Sequence, residues 1–99
     1  NHQLNPSFVL FLPESVRIVK EIPHRQFKIT IFSWNGKFQI KIELDQYEQV
    51  FKIKEEDVEG IEDVVKMLDA DFLKTTMQRF LTMRSDFAES FKRKNFINE

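Results

Sequence analysis

Apolar and polar side chains alternate with a period of two on both sides of Asn35-Gly36, over residues 27–44. Asn-Gly tolerates the two positive φ angles of a type I′ turn, so this stretch predicts a β-hairpin with a two-residue loop. Such a loop pairs Ile31 with Ile40 and places apolar positions opposite one another along the whole hairpin. Turn chemistry and hydrophobic pattern therefore predict the same register independently.

Three other segments before residue 55 have β character. Residues 15–22 are rich in β-branched side chains and predict a strand with Val16, Ile18 and Ile22 on one side and Arg17, Val19 and Glu21 on the other. Residues 47–53 alternate again and predict the last strand, joined to the hairpin by a loop of two or four residues. Both loop lengths keep the same side chains on the core face and both oppose like charges, so this register stays open. The apolar run at residues 8–12 predicts an edge strand or an extended lead-in.

From Asp57 onward the apolar period changes from two to about 3.6, which predicts helix. The apolar stripe shifts by roughly 100° between Phe72 and Leu73, because each helical residue turns that far. Two helices or a kink are therefore expected, with Asp69 as the favoured N-cap of the second segment and Asp71 as its rival.

Strands followed by helices predict an α+β fold: an antiparallel meander of about four strands, one face of which is covered by C-terminal helices in the order β-β-β-β-α-α. We expect a single domain over residues 8–95, a disordered or cloning-derived tail at 1–7 and a frayed end at 96–99. The predicted core consists of Val16, Ile18, Phe27, Ile29, Ile31, Phe38, Ile40, Ile42, Leu44, Phe51 and Ile53 from the sheet, and Val58, Ile61, Val65, Leu68, Phe72, Leu73, Met77 and Phe80 from the helices.

The last predicted helix is too long for the sheet beneath it. Residues 70–93 would extend ~36 Å as a helix, whereas strands of eight or nine residues span only ~28 Å. Phe87 and Phe91 then lie beyond the sheet, with Arg84 at the step of the stripe before them. We expect these three residues to bind a protein partner, most simply a second copy in a homodimer.

The face of the sheet that points away from the helices, called the reverse face below, combines lysines with two aromatic residues. Such a surface can bind single-stranded nucleic acid, because bases stack on rings while lysines neutralise phosphates. Arginine is scarce on this face, and aromatic pairs also mark protein interfaces, so nucleic acid is the alternative function. The residues that would serve it are Lys28, Phe32, Trp34, Lys37, Lys41 and Lys52.

The net charge of −1 conceals a segregation, since residues 55–71 contain eight Asp/Glu and a single Lys. This acidic block lacks the ligand spacing of a calcium loop, and acidic side chains near helix starts are stabilised by the helix dipole. We therefore interpret the block as a solvated helix face and expect no metal site.

Catalytic candidates are scarce. The chain has no cysteine, and its two histidines, His2 and His24, lie in a predicted tail and a predicted turn without a recognised catalytic spacing. We expect no enzyme activity and no cofactor. The absence of cysteine suits a reducing compartment, and no run approaches the ~20 apolar residues of a membrane span, so a cytoplasmic protein is expected. Residues 1–6 lack signal-peptide features, although the chain does not begin with Met and a removed signal stays open.

Overall fold

The computed structural model describes residues 16–96. Four strands form one antiparallel sheet in chain order: β1 (Arg17–Ile22), β2 (Lys28–Trp34), β3 (Lys37–Leu44) and β4 (Tyr47–Lys54). A 3-10 turn at Glu55–Asp57 leads to α1 (Ile61–Met67) and α2 (Ala70–Arg93), and a second 3-10 turn follows at Lys94–Phe96. The α+β fold is confirmed. The predictions for residues 1–7 and 8–12 lie outside the described residues.

The central hairpin has the register that its turn predicts. Ile31 pairs with Ile40, and Trp34 pairs with Lys37 across the two-residue loop. Asn35 and Gly36 have φ angles of 55° and 76°, as a type I′ turn requires.

The loop between β3 and β4 also has two residues, because Leu44 pairs with Tyr47. Asp45 takes a positive φ of 55°, which is accessible to Asp at modest cost. This register sets Glu43 opposite Glu48. Lys41 Nζ lies 4.0 Å from Glu43 Oε2 on the same face, and it partly offsets the repulsion between the two carboxylates.

The prediction that Ile18 belongs to the core is wrong, because β1 contains an irregularity that the period-two pattern does not reveal. Ile22 pairs with Ile29 on the core face, but a register shift between Ile18 and Lys20 leaves Ile18 opposite Phe32 on the reverse face. The extra residue in β1 reverses the inward and outward positions of the residues that precede the shift. Ile18 is consequently 57% exposed. Val16 precedes β1 and is only half-buried, outside the core cluster.

Two helices follow the sheet, as the jump of the stripe predicts. The first begins directly after Gly60, whose φ of 88° and ψ of −179° are accessible essentially to glycine alone. The second is capped by Asp69, whose Oδ1 accepts a hydrogen bond of 2.9 Å from the main-chain N–H of Phe72. Asp69 is thereby confirmed over Asp71.

The buried core lies between the sheet and the two helices. Its sheet residues were all predicted, and Phe80 of α2 meets the ring of Phe27 at a centroid distance of 5.6 Å. Val64 was not predicted although it is fully buried, because the stripe was counted from Val58, which precedes α1. The buried apolar side chains are Phe27, Ile29, Ile31, Phe38, Ile40, Ile42, Val64 and Phe80.

Candidate functional site

The second helix runs along β4 and continues past the end of the sheet. Phe72, in its first turn, contacts Phe51 in the middle of β4, with ring centroids 5.3 Å apart. Four turns later Phe87 contacts Tyr47, the first residue of β4, edge to face at 6.2 Å. Every side chain from residue 84 to residue 96 is exposed. We call residues 84–96 the overhang. Phe87 and Phe91 are exposed within it, as expected, but Phe87 still contacts the sheet through Tyr47.

A polar cluster holds α2 against β4 about one helical turn before the overhang begins. Arg79 Nε donates to Gln49 Oε1 at 2.8 Å, and its Nη2 donates to Thr76 Oγ1 at 3.0 Å. The same guanidinium lies 5.3 Å from the ring centroid of Phe72 and 5.8 Å from that of Phe51. Sequence reasoning missed this cluster. The one feature of the sequence that could have indicated this cluster is Gln49, a polar amide at a position of β4 that faces the core.

The apolar stripe of α2 continues unchanged into the overhang. At about 100° per residue, Phe87 and Phe91 lie within roughly 20° of the direction in which buried Phe80 points. They project from the side of the helix that packs on the sheet upstream, yet Phe87 is 57% and Phe91 61% exposed. Arg84 lies between Phe80 and Phe87 on the same side and is also exposed. The overhang therefore presents a core-type stripe that is only partly covered within the described residues, by Tyr47 against Phe87.

The positions beside this stripe carry no charge. Helical geometry places Leu81 and Ala88 along one flank, and Met83 and Ser90 along the other. Leu81 is exposed and Met83 is half-buried. Glu89 and Lys92 lie on the far side, whereas Asp86 and Arg93 lie between that side and the groove beside Tyr47. A wide apolar face opposite a charged one is typical of a helix that packs against another element.

An open groove adjoins the stripe where the helix leaves the sheet. It lies between the β3–β4 turn and α2 and has a volume of about 630 Å³. It is lined by the side chains of Tyr47, Met83 and Phe87 together with the polar residues Gln46, Asp86, Ser90 and Arg93. The sequence did not reveal this groove, because it depends on where α2 crosses the turn. Its size and its apolar residues suit a large side chain from a partner.

The end of the overhang gives Phe91 one weak contact. Lys94 Nζ lies 4.4 Å from the ring centroid of Phe91, a cation–π contact worth about 0.5–1 kcal/mol at an exposed site. Lys92 pairs with Glu89 on the far side at 3.4 Å. Neither contact removes the phenyl ring from water, so most of the free energy available from burying Phe91 is not realised in the single chain.

The reverse face has the arrangement that the register predicts. Pairing sets Phe32 opposite Gln39 and Gln39 opposite Lys52, and Trp34 opposite Lys37. All six residues of the alternative site thus share this face: Lys28, Phe32, Trp34, Lys37, Lys41 and Lys52.

Two observations bear on nucleic-acid binding by the reverse face. Lys41 is already engaged within the chain, since its Nζ lies 5.6 Å from the ring centroid of Phe32 and 4.0 Å from Glu43. Trp34 is 41% exposed, so its open ring face is available for stacking, although the cleft of about 40 Å³ beside it is too small to enclose a base. Nucleic-acid binding by this face stays a prediction.

His24 has a structural role in the turn between β1 and β2. Its ring stacks on Phe27 at 4.7 Å, and Nδ1 accepts hydrogen bonds from the main-chain N–H groups of Gln26 and Phe27 at 3.1 and 3.2 Å. Acidic side chains are engaged in a similar way, for example Glu55, which accepts a 2.7 Å hydrogen bond from Ser33 Oγ. Between residues 16 and 96 no cluster of three His, Asp or Glu side chains could hold a metal ion.

No helix in the described part of the chain is long and apolar enough to cross a bilayer. Comparison with protein-family models, with curated proteins and with solved structures found no significant match.

Proposed function

We propose that this chain is a small non-catalytic interaction domain that forms a homodimer through the overhang of α2. The observation that carries the proposal is the pair Phe87 and Phe91, which continue a core-type stripe to the end of the sheet and past it and stay more than half exposed. Exposed phenyl rings in series, flanked by uncharged positions, mark a surface that gains free energy when it is covered.

A second copy is the simplest cover. The charged residues on or beside the stripe have both signs, Arg84, Arg93 and Lys94 together with Asp86, so the surface does not demand a strongly acidic partner. Two such stripes can pack on each other about a twofold axis, with the same residues contributed by both copies. The groove beside Tyr47 offers a place for a phenyl ring of the second copy.

The phenyl rings alone do not account for a stable dimer. Full burial of a Phe side chain contributes about 2 kcal/mol, and these rings are already partly covered, so each contributes about half of that. Four rings from two copies therefore only offset the loss of translational and rotational freedom, about 4 kcal/mol or more. Net association must also draw on the other apolar side chains that two overhangs bury, Leu81 and Met83 among them.

The surroundings of the described histidine and the lining of the groove support the non-catalytic part of the proposal. The described histidine, His24, uses Nδ1 to close a turn, and its ring face is stacked on Phe27. The residues that line the groove at the overhang include no histidine.

Sedimentation equilibrium over a concentration series tests the proposal with matched variants of the full chain. Phe91→Glu places a charge on the stripe, whereas Ser85→Glu places the same charge on the exposed far side of the overhang. We expect the wild type and Ser85→Glu to dimerise and Phe91→Glu to stay monomeric. A wild type that is monomeric throughout, or equal association of both variants, would contradict a dimer formed through the overhang.

A further inference from the structure

A second apolar patch lies on the reverse face, next to the point where the chain enters β1. Ile18 is paired with Phe32, and Trp34 lies two residues farther along β2 on the same face. Ile18 and Trp34 are exposed and Phe32 is half-buried. The irregularity in β1 creates this patch, because a regular strand would direct Ile18 into the core. We call Ile18, Phe32 and Trp34 the reverse-face patch.

We propose that residues 8–12 of the same chain dock on the reverse-face patch. This segment, Phe-Val-Leu-Phe-Leu, is uninterrupted apolar sequence and precedes the described residues. The proposal concerns a different face from the dimer interface and is independent of it.

The length of chain between the segment and β1 fits this location. Leu12 is five residues before Arg17, so it lies at most ~17 Å from it, and Phe8 lies at most ~31 Å away. Arg17 pairs with Ser33, the residue between Phe32 and Trp34 in β2. Neighbouring strands are ~4.8 Å apart, which places the whole patch within easy reach of the segment.

The same distances argue against the overhang as the place where this segment docks. Arg17 begins β1 at the end of the sheet that carries the Asn35-Gly36 turn. Phe87 lies at the opposite end, beside Tyr47. The six residues of β1 alone span ~20 Å, so Leu12 cannot reach Phe87, and Phe8 reaches it only with a fully extended chain.

Charge agrees with this placement. Glu14 is the only charged residue in the stretch from Gln3 to Val16. The patch is bordered on the reverse face by Lys37 and Lys52, which are exposed. Docking of residues 8–12 brings the carboxylate of Glu14 toward a surface bordered by lysines. The docked segment covers the ring of Trp34.

Fluorescence of Trp34, the only tryptophan, tests this docking in the full chain. Leu10→Asp places a charge in the apolar segment, and Gln3→Asp places the same charge in the polar stretch before it. We expect Leu10→Asp to shift the emission of Trp34 to the red and to increase its quenching by acrylamide, whereas Gln3→Asp has no effect. Unchanged emission in Leu10→Asp would overturn the proposal.

Disulfide formation provides a second measurement, because the chain has no cysteine of its own. Leu10→Cys is combined with Gln39→Cys, on the reverse face beside Phe32, or with Leu81→Cys, on the exposed side of α2. We expect an intramolecular disulfide with Gln39→Cys and not with Leu81→Cys. Equal rates for the two pairs, a faster reaction with Leu81→Cys, or disulfides only between copies would overturn docking within one chain.

Discussion

Gln49 Nε2 on β4 donates a hydrogen bond of 3.0 Å to the main-chain carbonyl of Thr76 in α2. Both residues are buried, and Arg79 donates to the other end of the same amide. A polar side chain at a core-facing position thus fixes α2 at one point along β4. Since α2 has 24 residues, the position of this contact decides how much of the helix lies beyond the sheet.

Replacement of Gln49 by Met keeps the approximate size of the side chain and removes both hydrogen bonds. We expect a loss of about 1–2 kcal/mol in the free energy of unfolding, because the two hydrogen bonds that join β4 to α2 through Gln49 are lost and Arg79 keeps only its bond to Thr76. Urea denaturation measures this loss, with Gln46→Met in the exposed turn as a control that changes stability by less than about 0.5 kcal/mol. Equal stability of the two variants would mean that the Gln49 contact does not hold the helix in place.

The cap of α2 predicts different effects for two neighbouring aspartates. Asp69→Ala removes the acceptor for the Phe72 N–H and is expected to cost about 1 kcal/mol. Asp71→Ala removes only a favourable charge in the first turn, which is worth about 0.3–0.5 kcal/mol. Thermal or urea unfolding of the two variants compares them directly. A larger loss for Asp71→Ala would contradict the assignment of the cap.

The start of α1 depends on a backbone conformation that only glycine adopts readily. A Cβ added to Gly60 would meet no atom within 4 Å, so Gly60→Ala tests backbone strain without a steric clash. We expect a loss of about 1–3 kcal/mol in the free energy of unfolding. Gly36→Asn is the control, because Asn tolerates a φ of 76° in a type I′ turn. Gly60→Ala with wild-type stability would contradict this account.

If residues 8–12 cover Trp34, single-stranded nucleic acid should not reach its ring. Titration of the full chain with labelled oligonucleotides at about 50 mM salt is expected to leave Trp34 fluorescence unchanged. Quenching that weakens with added salt and is lost in Lys52→Glu would instead favour the nucleic-acid alternative, since phosphate contacts depend on salt.

The parts of the fold that follow from local chemistry were predictable from the sequence. Asn35-Gly36 and the alternation around it determine one register, and Asp69 stands at a helix start with the side chain that a cap requires. The overhang was predictable for a similar reason, because helix and strand lengths follow from counting residues.

Features that depend on tertiary placement were not predictable. The irregularity in β1 leaves no trace in the alternation of Val16, Ile18 and Ile22, yet it moves Ile18 to the opposite face. The groove at Tyr47 and the contact between Gln49 and Thr76 depend on the line along which α2 crosses β4. No local pattern in the sequence predicts where α2 crosses β4.

The central claim is that two copies of this chain associate through the overhang, and the mass of the full chain in solution tests it most directly. Size-exclusion chromatography with light scattering at high micromolar concentration should give twice the 11.9 kDa of one chain. Phe91→Glu should give the mass of a single chain and keep a folded monomer, because Phe91 is exposed. A wild-type mass of one chain at that concentration would contradict the claim.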